Sequence, residues 1–426
     1  MSIPQRDLAS VDYFFDPEIL QDPYPYYDHA RAQGPVAPGM PYDAIAITGY
    51  EEAVAVFNDP ASFSNCNSMS GPFSGLVAPE GADDITALVD ERRDSMPMSE
   101  HLAMMDPPKH TQHRALLMRL ITPKRLKENE AFMWELADAT LDEFVGRGTC
   151  EFIGDFTLPY STLVIAELLG VPEGDRDTFR TRLDTQVPGV MDTADGGMMD
   201  ALAFLYDQFT AYVVDRRERP RDDVITGLAQ ATFPDGSLPD PIEVVRIAAF
   251  LFAAGGETTA RLLATSLRVL AENPELQERL RGDRELLPNF IEETLRWEGP
   301  VKTDHRLTQV STTLGGVDIP AGATISMMLG AANRDPRRFE NPDEFVVDRA
   351  NARQHIAFGH GVHTCPGAPL ARAEARVALE RVLDRMHDIR ISEAHHGPAG
   401  ARQFEYAPTF VLRGMRTLHL EYTPAD

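Results

Sequence analysis

Between Phe358 and Arg372 the chain reads Phe-Gly-His-Gly-Val-His-Thr-Cys-Pro-Gly-Ala-Pro-Leu-Ala-Arg. One cysteine, Cys365, stands among three glycines, Gly359, Gly361 and Gly367, and helical periodicity starts directly after it. Glycine lets a loop curl until several backbone N–H groups point at one atom. The start of a helix adds about half a positive charge at the same place. Both effects lower a thiol pKa and favour the thiolate. The loop is therefore read as a holder for a cysteinate metal ligand. A buried cysteine in a glycine-rich turn is the plain alternative. Cys66 and Cys150 lack such surroundings and are read as structural.

The rest of the composition narrows the function classes. The chain has 426 residues, 66 of them acidic against 40 Lys and Arg, for a formal net charge of −26. That acidity argues against nucleic acid and anionic membrane surfaces as partners. A hydrophobic share of 43% with 25% charged residues is that of a globular protein. The length allows two or three domains, or one large helical one. The N-terminal segment lacks a charged region followed by an apolar run, and no window of about 18 residues is uninterruptedly apolar. Three dispersed cysteines fit a reducing cytoplasm rather than a disulfide framework.

Periodicity predicts a mainly α chain with a minor β part, arranged as one domain over 1–426. Residues 15–34 read as a Pro-punctuated opening and a short helix, 43–47 as a strand, and 50–58 as a helix stopped by Asp59-Pro60. Residues 64–100 are rich in Ser, Gly, Pro and Met, with one short helix at 84–93, and read as a lid or binding loop. Helical patterns follow at 109–121, 123–146, 159–170, 173–185, 198–217, 242–272, 275–281 and 285–297. Short strands are expected within 301–328, irregular chain over 333–364, a helix at 368–386 and a few strands over 388–422.

Two further motifs precede the cysteine. Glu293 and Arg296 are spaced i, i+3 on a predicted helix, so their side chains share a face. Ala253-Ala254-Gly255-Gly256-Glu257-Thr258-Thr259 interrupts a long apolar helix. Each mid-helix glycine costs about 1 kcal/mol against alanine. A threonine there can bond back to the helix and widen it. Such a locally unfavourable run calls for a functional reason.

The pattern Phe-Gly-x-Gly-x-His-x-Cys-x-Gly resembles the haem-binding loop of cytochromes P450, and the two motifs stand in that family's order. The resemblance implies the P450 fold and haem b, with Cys365 as axial thiolate and Phe358, Gly359 and Gly367 shaping its loop. It implies a buried structural triad of Glu293, Arg296 and Arg349. It places Ala254 and Gly255 over the haem, where a kink makes an oxygen groove. Thr258 would hydrogen-bond dioxygen, and Glu257 would relay protons from solvent. Asp106-Pro107-Pro108-Lys109-His110-Thr111-Gln112-His113-Arg114 resembles a haem-anchoring segment. His110, Arg114, Arg306 and His363 are then the expected partners of the haem propionates. His113 and His305 are expected to be solvated or structural.

The implied activity is hydroxylation of an unactivated C–H bond with O2 and two electrons. Those electrons would come from a ferredoxin and its reductase, docked near Cys365 at residues such as Arg372 and Arg376. Desaturation, dealkylation and C–C coupling are alternative outcomes on the same fold, and a non-catalytic haem sensor or carrier lies outside catalysis. A peroxide-driven enzyme is disfavoured by the presence of Glu257 and Thr258. The expected pocket includes Met98, Phe250, Ala253, Lys302, Phe410 and Val411. Eight of 16 methionines (Met69, Met96, Met98, Met104, Met105, Met191, Met198 and Met199) gather in two lid regions, which suits an adaptable apolar surface. The substrate expected is a hydrophobic terpenoid, steroid, fatty acid or aromatic. Lys302, or Arg92 and Arg93, could neutralise an acidic one.

Overall fold

The computed structural model describes residues 7–184 and 197–425. Met191 lies outside the described residues, and so do the side chains of Met198 and Met199. The chain is 54% helical and 11% strand, the mainly α class expected from periodicity.

Its axis is the helix Pro241–Glu272. Asp240 and Glu243 form a reciprocal cap at its start, with proline at the first turn. Asn273-Pro274 ends it, because proline cannot continue the ladder. Every residue from Leu262 to Ala271 is buried. Each large apolar side chain so buried contributes roughly 1.5–3 kcal/mol. Among the described residues this is the one helix long and apolar enough to cross a membrane by length and composition, yet 72% of that window is buried inside the protein. Around it pack Leu158–Leu169, Gly197–Glu218, Leu287–Glu298 and Ala368–Arg385. Lys109–Leu117 and Pro123–Asp142 complete the helical layer.

Among the described residues, ten short strands form the minor part: β1 (Val36–Pro38), β2 (Ile45–Ile47), β3 (Phe63–Ser64), β4 (Thr149–Glu151), β5 (Asp304–Thr308), β6 (Thr312–Leu314), β7 (Val317–Ile319), β8 (Thr324–Met327), β9 (Met386–Ile391) and β10 (His419–Pro424). The largest sheet has the order β1-β2-β8-β5-β3, with only β2 and β8 parallel. β4, β10 and β9 form a second sheet, and β6 pairs with β7.

The differences from expectation are local. β1, β3 and β4 are two or three residues long, too short for alternation to show. The helix expected over 123–146 stops at Asp142, ahead of Gly148, whose φ of 70° lies in the left-handed region. A wide helical turn at Ile153–Thr157 leads into Leu158–Leu169. The lid folds one helix, Thr86–Arg92, and several single turns.

Candidate functional site

A cavity of about 240 Å³, partly open to solvent, lies between the middle of the long helix, the start of Lys109–Leu117, β5 and the Cys365 loop. Gly359 and Gly361 take φ of 66° and 67°, conformations that curl the loop. The Cys365 amide then donates to the Phe358 carbonyl at 2.8 Å, closing the turn. A side chain at Gly367 would start 3.8 Å from the Cys365 Sγ. Amides of Gly367 and Ala368 point at the sulfur, as the glycine spacing implies. The thiol pKa nevertheless shifts the other way. Burial pushes it above the ordinary value and outweighs the two amides, Arg114 and Arg372. The expectation of a thiol pKa lowered by the loop alone is thereby corrected. The loop orients the sulfur, and a bound metal must displace the proton.

In the same cavity as the thiol, two imidazoles present ring nitrogens without protein partners. His110 is 2% exposed, and neither ring nitrogen has a hydrogen-bond partner. Nε2 of His363 is equally orphaned, and the two rings lie 3.9 Å apart. Burial lowers the pKa of His110 to about 4 and that of His363 to about 2. Arg114 donates to the Thr364 carbonyl at 2.6 Å and lines the same cavity. Arg306 also lines it, held by Asp304 at 2.8 Å and its neighbour's carbonyl at 2.6 Å. Orphaned buried nitrogens are costly, so a ligand with acceptor groups fits this end. Among the described residues no three His, Cys, Asp or Glu side chains are placed to hold a bare metal ion. A metal held here by one thiolate must take its other ligands from a prosthetic group. Haem supplies four, and its two carboxylates match the imidazole and guanidinium end, so the residues present fit haem. His113 and His305 are both buried: His113 meets the Lys109 carbonyl and Glu243, His305 meets Ser326. Neither is solvated.

On the long helix, the Thr258 hydroxyl donates to the Ala254 carbonyl at 2.7 Å. The helix runs unbroken from Pro241 to Glu272, and Ala254, Gly255, Thr258 and Thr259 line the cavity. The glycine pair also has a packing reason that local sequence does not carry. A side chain at Gly255 would start 3.3 Å from Ile165, and one at Gly256 would start 3.7 Å from Thr162, where Leu158–Leu169 crosses. Glu257 does not line the cavity. One of its oxygens accepts from Arg261, and the other is buried without a partner. Sequence reasoning missed Glu374, 1% exposed, whose pKa burial raises well above the usual range against the opposing pull of Thr259.

Glu293, Arg296 and Arg349 meet outside the cavity wall. Arg296 donates to both oxygens of Glu293, at 2.7 and 2.8 Å, and Arg349 to the same pair at 3.0 and 3.1 Å. Arg296 also satisfies carbonyls of Asn333, Pro342 and Glu344, which ties the helix to the irregular chain ahead of the cysteine loop. The two arginines expected to face an electron donor also form ion pairs within the chain and stay partly exposed. Arg372 holds Glu292 and covers the Phe358 ring, and Arg376 holds Glu130 and Glu380.

Of the six expected pocket residues, Phe250 lines the cavity; Met98, Ala253, Lys302, Phe410 and Val411 do not. The Lys302 ammonium is 3.4 Å from the Leu20 carbonyl, in a buried position that lowers its pKa well below normal. Phe410 packs against Phe14 and His305. The Val411 carbonyl accepts from the Lys302 amide. Ala253 packs against the core. Arg93 is tied to Asp106, and Arg92 is exposed beside Glu91. The cavity also takes Asn65 and Ser68, from the expected 64–100 lid or binding loop, and Leu102, Ala103 and Ile165, contacts that no local pattern marks.

Known proteins resemble this chain in sequence and fold. The family model Cytochrome P450 matches residues 194–387. Cytochrome P450 144 of Mycobacterium tuberculosis is 35% identical over 390 residues, 89% of this chain and 86% of the relative. The substrate-free structure of Mycobacterium marinum CYP150A6 is 54% identical, covers 99% of this chain and 100% of that one, and superposes with a TM-score of 0.93. CYP109E1 of Bacillus megaterium, solved in complex with testosterone, is 29% identical with a TM-score of 0.77 over 94% of this chain and 99% of its own. With such likeness along nearly the whole length, and the Cys365 thiol lining one cavity together with orphaned imidazoles, the chain belongs to the cytochrome P450 family.

Proposed function

We propose that residues 1–426 form one monooxygenase unit that hydroxylates an unactivated C–H bond of an uncharged, hydrophobic small molecule. A ferredoxin and its reductase supply the two electrons, in the cytoplasm. The observation that carries this reading is the single cavity that sets Cys365 against His110, His363 and Arg114 and continues into an apolar chamber. Bound haem supplies the redox chemistry by which dioxygen is split and one oxygen atom enters the substrate.

The protein's own groups do the rest. Cys365 binds the iron as thiolate, and its proton leaves on metal binding. His110, His363, Arg114 and Arg306 hold the carboxylates of the ring. Thr258 spends its hydroxyl proton on Ala254, which leaves its lone pairs to accept at the groove. Glu257, with one oxygen anchored by Arg261 and the other free, passes protons toward Thr258.

Leu102, Ala103, Leu117, Ile165, Phe250 and Leu251 form the chamber. Among the described residues, the cationic side chains on the cavity wall are Arg114 and Arg306, both assigned to the ring carboxylates, while His110 and His363 are neutral there. Lys302 is withdrawn behind the wall, so an acidic substrate would lack a counter-charge. A neutral steroid or terpenoid suits this lining, and the complex of the Bacillus megaterium relative with testosterone supports that choice.

The test begins with the dithionite-reduced protein under carbon monoxide. The red-shifted Soret band of thiolate ligation is expected in the wild type and lost in Cys365→His. Neutral steroids and fatty acids are then screened with ferredoxin, its reductase and O2. Hydroxylated steroid supports the reading; turnover of free fatty acids alone overturns the substrate class.

A further inference from the structure

One buried imidazole stands between three elements at the roof of the cavity. His101 is 1% exposed at the end of the lid, next to Leu102 and Ala103 of the cavity wall. Its Nδ1 lies 3.2 Å from the Met98 carbonyl, which can only accept, so Nδ1 carries the proton. Nε2 is then a lone-pair acceptor, and the Tyr206 hydroxyl of Gly197–Glu218 lies 2.6 Å from it, donating. The two rings are stacked at 6.1 Å, with 13° between their planes. The Arg246 guanidinium, on the long helix, lies near enough to oppose the burial that raises the pKa of that hydroxyl. The other side of the imidazole packs 5.3 Å from the ring of Phe250, a cavity wall.

The backbone beneath the imidazole is strained to make this possible. Met98 has φ of 61°, a conformation that costs a branchless non-glycine residue about 1 kcal/mol or more. The same Met98 carbonyl also accepts the His101 amide at 2.9 Å. A carbonyl held in a strained turn and used twice by one residue points to a designed latch.

We infer that His101 is a positioning residue for substrate access: one imidazole clasps the lid to the 197–218 helix and holds the Phe250 ring in the cavity wall. The clasp goes beyond the activity proposed above and uses that reading only in taking the cavity as the substrate chamber. Its burial makes it dependent on acid. Protonation would turn the bond round, Nε2 donating to the Tyr206 oxygen, and would place a positive charge in a buried site beside Arg246. The groups facing the imidazole are Glu100 on its own segment, Tyr206 on the 197–218 helix and Arg246 on the long helix. Burial, assisted by Arg246, lowers the His101 pKa against the opposing pull of Glu100 and Met98. The clasp is therefore whole at neutral pH and loosens as pH falls.

Stopped-flow binding of phenylimidazole to the haem-loaded full chain, followed by its Soret shift, tests the clasp. Tyr206→Phe keeps the stacked ring and removes the donor. His101→Phe keeps the contact with Phe250 and removes both hydrogen bonds. Each variant is expected to raise association and dissociation rates roughly fivefold, as loss of one hydrogen bond of ordinary worth implies. In the wild type the dissociation rate, which the probe's own protonation does not enter, rises as pH is lowered from about 7 to about 5, and in the variants it stays flat. Rates within about twofold of the wild type in both variants, or an equal pH dependence in all three proteins, overturn the clasp. Absence of any shift in the wild type overturns the chamber reading and the clasp with it.

Discussion

At the scale of single residues, unsatisfied atoms say most about what the chain holds. His110 and His363 present three orphaned ring nitrogens to one cavity. His110→Phe is expected to speed haem loss about tenfold or more, since hydrogen bonds to charged groups contribute about 1.5–3 kcal/mol. Transfer of haem to an apo-acceptor, timed by absorbance, measures it. Gly414 makes a different point. A side chain there would start 2.7 and 2.9 Å from Cγ and Cδ of Arg261, so glycine is what lets that arginine reach Glu257. Gly414→Ala is expected to cost about 1–3 kcal/mol through overpacking and to release Glu257. Chemical denaturation reads the first effect, and the pH profile of hydroxylation reads the second. No pattern near position 414 hints at this, because Arg261 lies far away in sequence.

At the scale of elements, two buried ionic clamps fasten Leu287–Glu298 to the rest of the chain. Glu293→Gln would leave Arg296 and Arg349 without their counter-charge, and a loss of about 3–5 kcal/mol is expected in denaturant unfolding. Glu292 carries the second clamp, to His355 and Arg372. Burial raises its pKa, but those two partners more than offset this, and the net shift is down to about 2. A carboxylate with a depressed folded pKa stabilises above its unfolded value and loses that stability as pH falls through the folded one. The Glu292→Gln variant is thus expected to be less stable at neutral pH by about 2 kcal/mol. That deficit should shrink as pH drops from about 4.5 toward 2, which urea titrations across this range would follow. The Glu-x-x-Arg spacing was legible from sequence. Its burial, and the recruitment of Arg349 more than fifty residues away, depended on where the irregular chain over 333–364 is laid down.

At the scale of the whole molecule, helices enclose a chamber shaped for a group that they do not themselves supply. Haem binds the folded state alone, so its removal is expected to lower the thermal midpoint. The linkage amounts to about 4 kcal/mol when free haem is about 1,000 times its dissociation constant. Calorimetry of haem-loaded and haem-free protein checks this. The cysteine loop, the long helix with its threonines, and the order of the helices could be read from sequence, because each is written within a span of a few turns. Local periodicity and glycine placement act over that range. The remainder required distant segments to meet. Lys302, expected in the pocket, is buried beside Leu20, Arg413 and Arg261. His101 acquires its partners from two helices more than a hundred residues onward. The Cys365 pKa rises because burial is a sum over every segment packed around the sulfur, which the loop that presents it does not contain.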